Sequence, residues 1–190
     1  MTSSRFYWEQ HTDGKGQWLT QYPDGPPKDE LASIRRGLGK KAGYVPSLWP
    51  FYTKLNTYEK VDNKLIVEHQ CLTLYALHQQ SISNPVHVKG HGLGMAIRAL
   101  AFSESYQENK NAITKKLYAL AMASNIDELA NHLRNIITLI KSVSKLSSID
   151  YTKLYWDLIK WNNGGDERSE TILRWGMQYH YREKLDQNAE

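Results

Sequence analysis

Residues 125–143, NIDELANHLRNIITLIKSV, decide the fold class of this chain. Their apolar side chains recur at spacings of three and four residues, which places them on one face of an α-helix. These residues are Leu129, Leu133, Ile136, Ile137, Ile140 and Val143. Asn125 is of a type that caps helix N-termini, and Glu128 follows it by three residues, as in a capping box. The stretch therefore predicts an amphipathic helix that begins behind Asn125 and buries one face.

The same period recurs on both sides of this stretch. It predicts further helices over residues 28–38, 47–56, 59–80, 95–102, 109–123, 150–161 and 166–184. The first 27 residues contain three glycines and three prolines, so we expect them to be irregular apart from a short helix near residues 6–10. No segment alternates with the period of a strand. The sequence thus predicts an all-α protein of about eight helices in two small helical lobes, residues 1–85 and 86–190.

The composition is that of a globular protein. The chain has 190 residues, of which 41% are hydrophobic and 23% charged, so it can form an apolar core. A single cysteine, Cys71, excludes an intramolecular disulfide and a cysteine-based zinc site, and its place in an apolar helical stripe predicts a buried thiol. No apolar run reaches the about 18–20 residues of a membrane span, and the N-terminus lacks the apolar core of a signal peptide. We therefore expect a cytoplasmic protein without a membrane partner.

The motifs that suggest chemistry lack the context that the chemistry needs. The glycine-rich residues 90–94 follow no predicted strand and precede no Lys-Ser/Thr pair, so they predict a turn before a helix rather than a nucleotide loop. His87 and His91 are four residues apart, but a glycine lies between them and no third metal ligand is near. Glu68 and His69 are adjacent and therefore diverge on a helix. We accordingly predict no enzyme, no cofactor and no metal site.

The aromatic residues are most simply explained by the core. Trp156, Trp161 and Trp175 fall on apolar helix faces, which predicts that they are buried. Tyr151 and Tyr155 are predicted to be partly exposed, and base stacking on exposed aromatic rings is a minor alternative.

Positive charge is concentrated in two parts of the chain. The net charge is only +4 with neutral histidines, yet residues 28–60 hold seven basic and three acidic residues, and residues 86–146 hold eight and four. Such segregation creates a local positive field, which phosphate binding requires.

Not every basic residue carries the same weight. Arg35, Arg36 and Arg98 lie in mostly apolar sequence surroundings, which favours a fixed phosphate or carboxylate partner for each guanidinium. Lys141 and Lys145 are more simply residues of a solvated helix face.

Four groups of motifs follow one another along residues 29–181. They are Ile34-Arg35-Arg36-Gly37 before an aromatic segment at 46–52; Leu93-Gly94-Met95-Ala96-Ile97-Arg98-Ala99-Leu100; Lys115-Lys116-Leu117-Tyr118-Ala119-Leu120 before Leu133-Arg134-Asn135-Ile136-Ile137; and Ile149-Asp150-Tyr151 with Leu154, Asp157-Leu158, Trp161 and Arg174-Trp175. In this combination the sequence resembles the CasB family, the small subunits of the subtype I-E CRISPR interference complex called Cascade. The first 27 residues and the loop at 39–43 depart from the family pattern.

The resemblance implies an all-helical, two-lobed, non-catalytic subunit of a ribonucleoprotein. It implies two copies arranged head to tail, contacts with the backbone subunits and the large subunit, and binding to guide RNA, target DNA and the displaced DNA strand during R-loop formation. It also implies one continuous basic face as the nucleic-acid-binding site. The basic positions of the family pattern correspond to Arg35, Arg36, Arg98, Lys115, Lys116 and Arg134, with Arg168 as a further match; Lys40 and Lys41 extend the basic stretch behind Arg36.

Two other interpretations of the sequence remain open. One is a helical protein-interaction adaptor whose basic face meets acidic protein surfaces, without direct nucleic-acid contact. The other is an enzyme of unrecognised type, which a deep pocket with convergent ionisable groups would indicate. Binding to single-stranded DNA or RNA across a salt series separates the adaptor from the strand-binding subunit.

Overall fold

Seven α-helices and three short 3-10 helices form the regular structure of the residues that the computed structural model describes, 5–53, 60–143 and 148–181. The α-helices are α1 (Lys28–Arg35), α2 (Asn63–Gln79), α3 (Leu93–Ala101), α4 (Lys110–Ala121), α5 (Ile126–Ser142), α6 (Tyr151–Asn163) and α7 (Gly165–His180). The 3-10 helices span Tyr7–Glu9, Pro46–Phe51 and Gln107–Asn109. Within these ranges, extended pairing is limited to two isolated bridges, Thr12 with Trp18 and His87 with Ile149. The all-α prediction is confirmed.

Helix α2 lies at the centre of the core. Ten consecutive residues, 67–76, are buried, so every side of the helix is covered, and α2 packs against α1, α5 and α6. Cys71 is fully buried, as predicted, and burial raises the pKa of its thiol. Because α2 has neighbours on several sides, its buried residues extend around the helix, and this packing explains why its apolar stripe is wider than that of α5.

Side chains cap the two helices whose starts the sequence predicts most clearly. Asn125 Oδ1 accepts a hydrogen bond from the backbone N–H of Glu128 at 2.9 Å. The Glu128 carboxylate in turn accepts from the N–H of Ser124 at 2.8 Å, one residue before the position that a capping box uses. Asp150 accepts from the N–H of Lys153 at 2.9 Å and caps α6. These bonds satisfy N–H groups that have no partner within the helix.

Backbone and side-chain contacts fasten α7 to its two neighbours. Gly94 of α3 lies against the backbone of Trp175, and its N–H donates to Gln178 Oε1 at 3.1 Å. Asp157 of α6 accepts from Arg174 Nη2 at 2.7 Å and from Trp175 Nε1 at 2.8 Å. A turn precedes α3, as predicted, but the helix begins at Leu93, two residues earlier than predicted, so that Gly94 belongs to α3. This glycine allows the close packing of α3 on α7.

Three aromatic predictions on α6 are wrong. Trp156 is 51% exposed, whereas Tyr151 and Tyr155 are 0% and 4% exposed. The buried face of α6 carries both tyrosines and Trp161, and Trp156 points away from that face. Tyr151 can be buried because its hydroxyl forms a hydrogen bond with His78 Nδ1 at 3.0 Å. The other two tryptophans of the prediction are fully buried, as expected.

The segment before α1 packs into the same core. Trp8 is fully buried, stacks on Phe6 with 4.6 Å between ring centroids, and donates from Nε1 to Thr152 Oγ1 on α6 at 3.0 Å. Tyr7 donates to the Glu30 carboxylate on α1 at 2.7 Å. This segment therefore contacts helices from both parts of the chain, and the division into two lobes stays a prediction.

Two predicted helices differ from the structure or extend beyond the residues that it describes. The described part of the predicted helix at 47–56 is the 3-10 helix Pro46–Phe51, in which Pro50 lacks the N–H that an α-helix would use; residues 54–56 lie outside the described ranges. Helix α7 is described to His180, and the last three residues of its prediction, 182–184, also lie outside them.

Candidate nucleic-acid interface

The nine basic residues predicted from the sequence differ in exposure. Six are exposed and three half-buried: the exposed ones are Arg36, Lys40, Lys41, Lys115, Lys116 and Arg134, and the half-buried ones are Arg35, Arg98 and Arg168. The ion pairs of the described residues join Arg174 to Asp157 and His132 to Glu128. In this part of the chain, none of the nine is therefore neutralised by a carboxylate, and the exposed ones can bind an anion of another molecule.

Lys40, Lys41 and Arg134 line one groove. It has a volume of about 260 Å³ and lies between the loop behind α1, the middle of α2 and the first half of α5. Asp127 is the one acidic residue among the described residues that line it, so positive charge predominates. We call this the α1–α5 groove. The fold thus brings together basic residues from both basic parts of the sequence.

Arg35 and Lys141 converge on the C-terminal end of α2. Arg35 Nη1 donates to the carbonyl oxygen of Ala76 at 3.5 Å, and Lys141 Nζ donates to that of Leu77 at 3.2 Å. The last carbonyl groups of a helix lack partners within it and carry the negative end of its dipole, so cations stabilise them. Partial burial, together with the nearby charge of Arg35, lowers the pKa of Lys141. The prediction that Lys141 lies on a solvated face is thus wrong, and Lys145 lies outside the described residues.

Arg98 lies beside an exposed aromatic ring. Its guanidinium carbon is 5.0 Å from the ring centroid of Phe102, and Lys110 Nζ is 4.5 Å from the same centroid. Phe102 is 53% exposed. Cation–π attraction orients both side chains without cancelling their charge. Lys110 was not predicted as a site residue, although its place in the second basic part of the sequence was a signal for it.

Arg168 is engaged inside the protein. Its Nε donates to the carbonyl oxygen of Trp161 at 3.0 Å, and its guanidinium carbon is 3.9 Å from the centroid of the Trp161 ring. Arg168 therefore stabilises the C-terminal end of α6, as Arg35 stabilises that of α2. Because one N–H is bonded and one face of the group is covered, fewer donors remain for a phosphate than at the exposed residues.

Lys115 and Lys116 are exposed on α4. Helix α4 packs against α3 and α5, the helices that carry Arg98 and Arg134. Tyr118, on the next turn, is 54% exposed. Three neighbouring helices thus carry four of the nine predicted residues, and their union into one continuous face stays a prediction.

The histidines near the glycine-rich turn have different partners. His87 Nδ1 accepts from the N–H of Tyr151 at 3.1 Å inside the core, where burial lowers its pKa. His91 Nδ1 forms a hydrogen bond with Ser148 Oγ at 2.5 Å. Among the described residues, no three His, Cys, Asp or Glu side chains are grouped as metal ligands. None of the described helices is long and apolar enough to cross a membrane.

Comparisons with known proteins agree with this architecture. The family model described as CRISPR-associated protein Cse2 matches residues 30–180, a range that contains all nine predicted residues and leaves out the N-terminal segment. The crystal structure of CasB from Thermobifida fusca is 28% identical, with 81% of this chain and 85% of that chain covered and a TM-score of 0.65. CasB from M. ruber is 25% identical, with 81% and 85% covered and a TM-score of 0.63. A Cse2-family CRISPR-associated protein from Thermus thermophilus shares the fold at 24% identity, with 79% and 84% covered and a TM-score of 0.60. No curated protein matches the chain significantly.

Proposed function

The chain belongs to the family of CRISPR-associated Cse2 proteins, and on this premise we propose that it is the non-catalytic small subunit of a subtype I-E Cascade ribonucleoprotein. In this role it stabilises the complex and holds nucleic-acid backbones during R-loop formation in antiviral defence. Its partners are a second copy of the chain arranged head to tail, the large and backbone subunits, guide RNA, target DNA and the displaced single strand. The complex acts in the cytoplasm.

The α1–α5 groove is the observation that carries this proposal. Lys40, Lys41 and Arg134 line it, and none of them forms an ion pair with a carboxylate among the described residues. Arginine binds a phosphate through a planar fork of N–H donors, while lysine supplies a mobile point charge. Such a set binds a phosphate backbone without reading its bases.

This kind of binding suits R-loop formation. In RNA-guided recognition the guide pairs with the target strand, and the exchange of one duplex for the other is nearly balanced in free energy. A subunit that binds backbones can therefore shift the balance with few contacts. We expect weak, salt-dependent binding by the isolated subunit, with Kd on the order of 10⁻⁴–10⁻⁶ M, which tethering in the complex converts into effective capture.

Charge reversal in the assembled complex tests the proposal. The triple variant Lys40→Glu, Lys41→Glu, Arg134→Glu changes only exposed side chains, so we expect the fold and the assembly to persist. R-loop formation on a double-stranded target is expected to weaken by on the order of tenfold or more, since several phosphate contacts are lost.

A matched triple variant controls for net charge. Lys15→Glu, Lys64→Glu and Lys160→Glu likewise reverse three exposed positive charges, at lysines that were not predicted as site residues. We expect this control to form R-loops almost as the natural sequence does. Equal R-loop formation by both triple variants would contradict the proposal.

A protein-interaction adaptor without nucleic-acid contact is the second candidate. Leu173 and Met177 favour it, because they are 62% and 65% exposed and lie one turn apart on α7. An adaptor does not bind single-stranded DNA or RNA even at low salt. The strand-binding subunit binds both, and its affinity falls steeply as salt is raised.

A further inference from the structure

A second groove, of about 940 Å³, lies between the N-terminal segment and the ends of α1 and α2. Trp18 and Asp24 line it from the N-terminal segment, and Lys28 and Arg35 line it from α1. The last residue of α2, Gln79, and residues 80–83 behind it complete the lining. We call it the N-terminal groove. The match to the family model begins at residue 30, so the groove is completed by residues outside that match.

The ring of Trp18 is held in a fixed orientation. Its Nε1 donates to the carbonyl oxygen of Ser83 at 2.7 Å, which ties the N-terminal segment to the turn behind α2. Gly25, with φ at +78°, lies directly against the ring, and a Cβ atom there would come within 2.8 Å of it. The groove is therefore lined by an aromatic ring that is half-buried and held on its edge and on one side.

Positive charge predominates in the N-terminal groove. Lys28 and Arg35 are seven residues apart on α1, which places them on the same side of the helix. Arg35 uses one N–H for the carbonyl oxygen of Ala76, and the other guanidinium donors remain for a ligand. Neither cation forms an ion pair among the described residues, and Asp24 is the one acidic residue described in the lining.

We propose that the N-terminal groove binds one nucleotide of an unpaired strand, with the base stacked on Trp18 and the backbone phosphates bound by Arg35 and Lys28. The inference rests on the proposed function and adds a base-contacting site to a surface that otherwise contacts backbones. A fixed aromatic ring beside cations is the arrangement by which proteins hold single strands without reading their sequence. The volume falls within the about 300–1,000 Å³ of small-ligand sites. The strand is either DNA or RNA, and the experiment has an arm for each.

Binding by the full-length protein tests this site through an abasic strand. The probes are fluorescently labelled oligothymidine and oligouridine of about 15 nucleotides, together with an abasic strand of the same length. Trp18→Leu keeps an apolar side chain but removes the aromatic ring. Loss of one stacked base is expected to weaken binding of the two base-containing strands by on the order of tenfold, and to leave binding of the abasic strand unchanged. A larger effect on one strand identifies DNA or RNA as the preferred source.

Two further variants separate the contributions of base and phosphate. Lys28→Ala is expected to weaken binding of all three strands equally, because it removes a phosphate contact only. Trp156→Leu removes another half-exposed indole, on α6 and outside the groove, and is expected to change none of them. The site is refuted, while the proposed function stands, if Trp18→Leu binds every strand as the natural protein does. The same holds if the variant's affinity for the abasic strand falls as much as its affinity for the base-containing strands. If the natural protein binds no strand at low salt, the proposed function fails as well.

A measurement on the natural sequence covers the case in which Trp18→Leu does not fold. Strands that carry iodinated uracil are photo-cross-linked to the protein, and the attached residues are identified by mass spectrometry. Trp18 is expected among them. A cross-link map that contains other aromatic residues and lacks Trp18 overturns the inference.

Discussion

The backbones of α3 and α7 meet at Gly94, where the carbonyl oxygen of Trp175 occupies the space that a Cβ atom would need. The N–H of Gly94 also bonds to Gln178 on α7 at 3.1 Å. Because Leu93 and Gly94 are buried in this contact, α7 cannot move outward without exposing the fully buried ring of Trp175. The contact therefore couples the packing of α3 to that of the last described helix.

Gly94→Ala is expected to lower the free energy of unfolding by about 2 kcal/mol or more, because the added methyl group forces the two backbones apart. Urea unfolding followed by circular dichroism measures the change. Gly176→Ala is a matched control on α7, since nothing lies within 4 Å of a Cβ atom there. We expect it to be neutral or stabilising by up to about 1 kcal/mol, from helix propensity. Similar losses in both variants would be inconsistent with the close packing at Gly94.

Removal of the Asp157 carboxylate is expected to loosen α7 in a second way. Asp157 is 4% exposed and accepts from both Arg174 and Trp175. Asp157→Ala leaves the buried indole N–H of Trp175 without its acceptor and removes the carboxylate from Arg174 Nη2, which keeps only Thr171 Oγ1 at 3.2 Å. We expect a loss of about 2–4 kcal/mol in the free energy of unfolding.

The other ion pair of the described residues is the control for Asp157. His132 and Glu128 lie 3.7 Å apart on the surface of α5. Such pairs contribute about 0–1 kcal/mol, so His132→Ala is expected to change stability little. If Asp157→Ala costs no more than His132→Ala in urea unfolding, the role given to Asp157 is wrong.

Acid is expected to destabilise the protein through its buried histidines. Burial, together with the nearby charge of Lys141, lowers the pKa of His78 to about 3, and burial also lowers the pKa of His69 and His87. The unfolded chain binds a proton at each histidine near the ordinary pKa of about 6.5, whereas the folded chain binds it only at a lower pH. The free energy of unfolding therefore falls as pH drops below about 6.5, by up to about 1.4 kcal/mol per pH unit for each such histidine.

Urea unfolding between about pH 6.5 and 5, where carboxylates titrate little, measures this slope. His78→Asn offers Tyr151 a hydrogen-bond acceptor but cannot titrate. For this variant, the plot of the free energy of unfolding against pH is expected to be less steep than for the natural protein. The difference is the contribution of up to one bound proton, about 1.4 kcal/mol per pH unit. Parallel slopes for the two proteins would show that His78 does not contribute to the acid sensitivity.

Local patterns predicted the elements of the fold well. Asn125 and Asp150 cap their helices because capping depends on residues three or four positions apart in the chain. The period of α5 predicted its buried residues because one side of that helix faces the core. Trp156 shows the limit of such patterns. Its apolar neighbours in the sequence predicted that it is buried, but the packing of α2 and α7 on α6 decides which side of α6 is buried, and Trp156 lies on the other side.

The candidate site depended more on contacts between distant residues. Lys40 and Lys41 meet Arg134 only because α1 and α5 both pack on α2. Arg168 fits the family pattern, but its bond to the Trp161 carbonyl depends on the turn between α6 and α7. Trp18 belongs to an irregular segment without helical period, so no local pattern placed it beside Arg35.

Arg35 and its neighbour Arg36 are expected to differ in their effect on stability. Arg35 bonds to a terminal carbonyl of α2, and Arg36 is exposed. Loss of a cation at a helix C-terminus costs about 0.3–1 kcal/mol, so Arg35→Ala is expected to lower the free energy of unfolding by that amount. Arg36→Ala is expected to leave it within about 0.5 kcal/mol. A larger loss of stability in Arg36→Ala than in Arg35→Ala, measured by thermal or urea unfolding, would contradict the capping role of Arg35.

The salt dependence of strand binding is expected to reveal whether Arg134 contacts a backbone phosphate. Each phosphate neutralised on a single strand contributes a slope of about −0.7 to log Kobs against log salt concentration. Arg134→Ala should therefore make the slope shallower by about 0.7 for strands of any base composition, because a backbone contact carries no base preference. Lys160→Ala, at an exposed residue of α6 outside both grooves, is expected to keep the natural slope. Fluorescence anisotropy across a salt series measures both, and identical slopes for the two variants would show that Arg134 does not contact the strand.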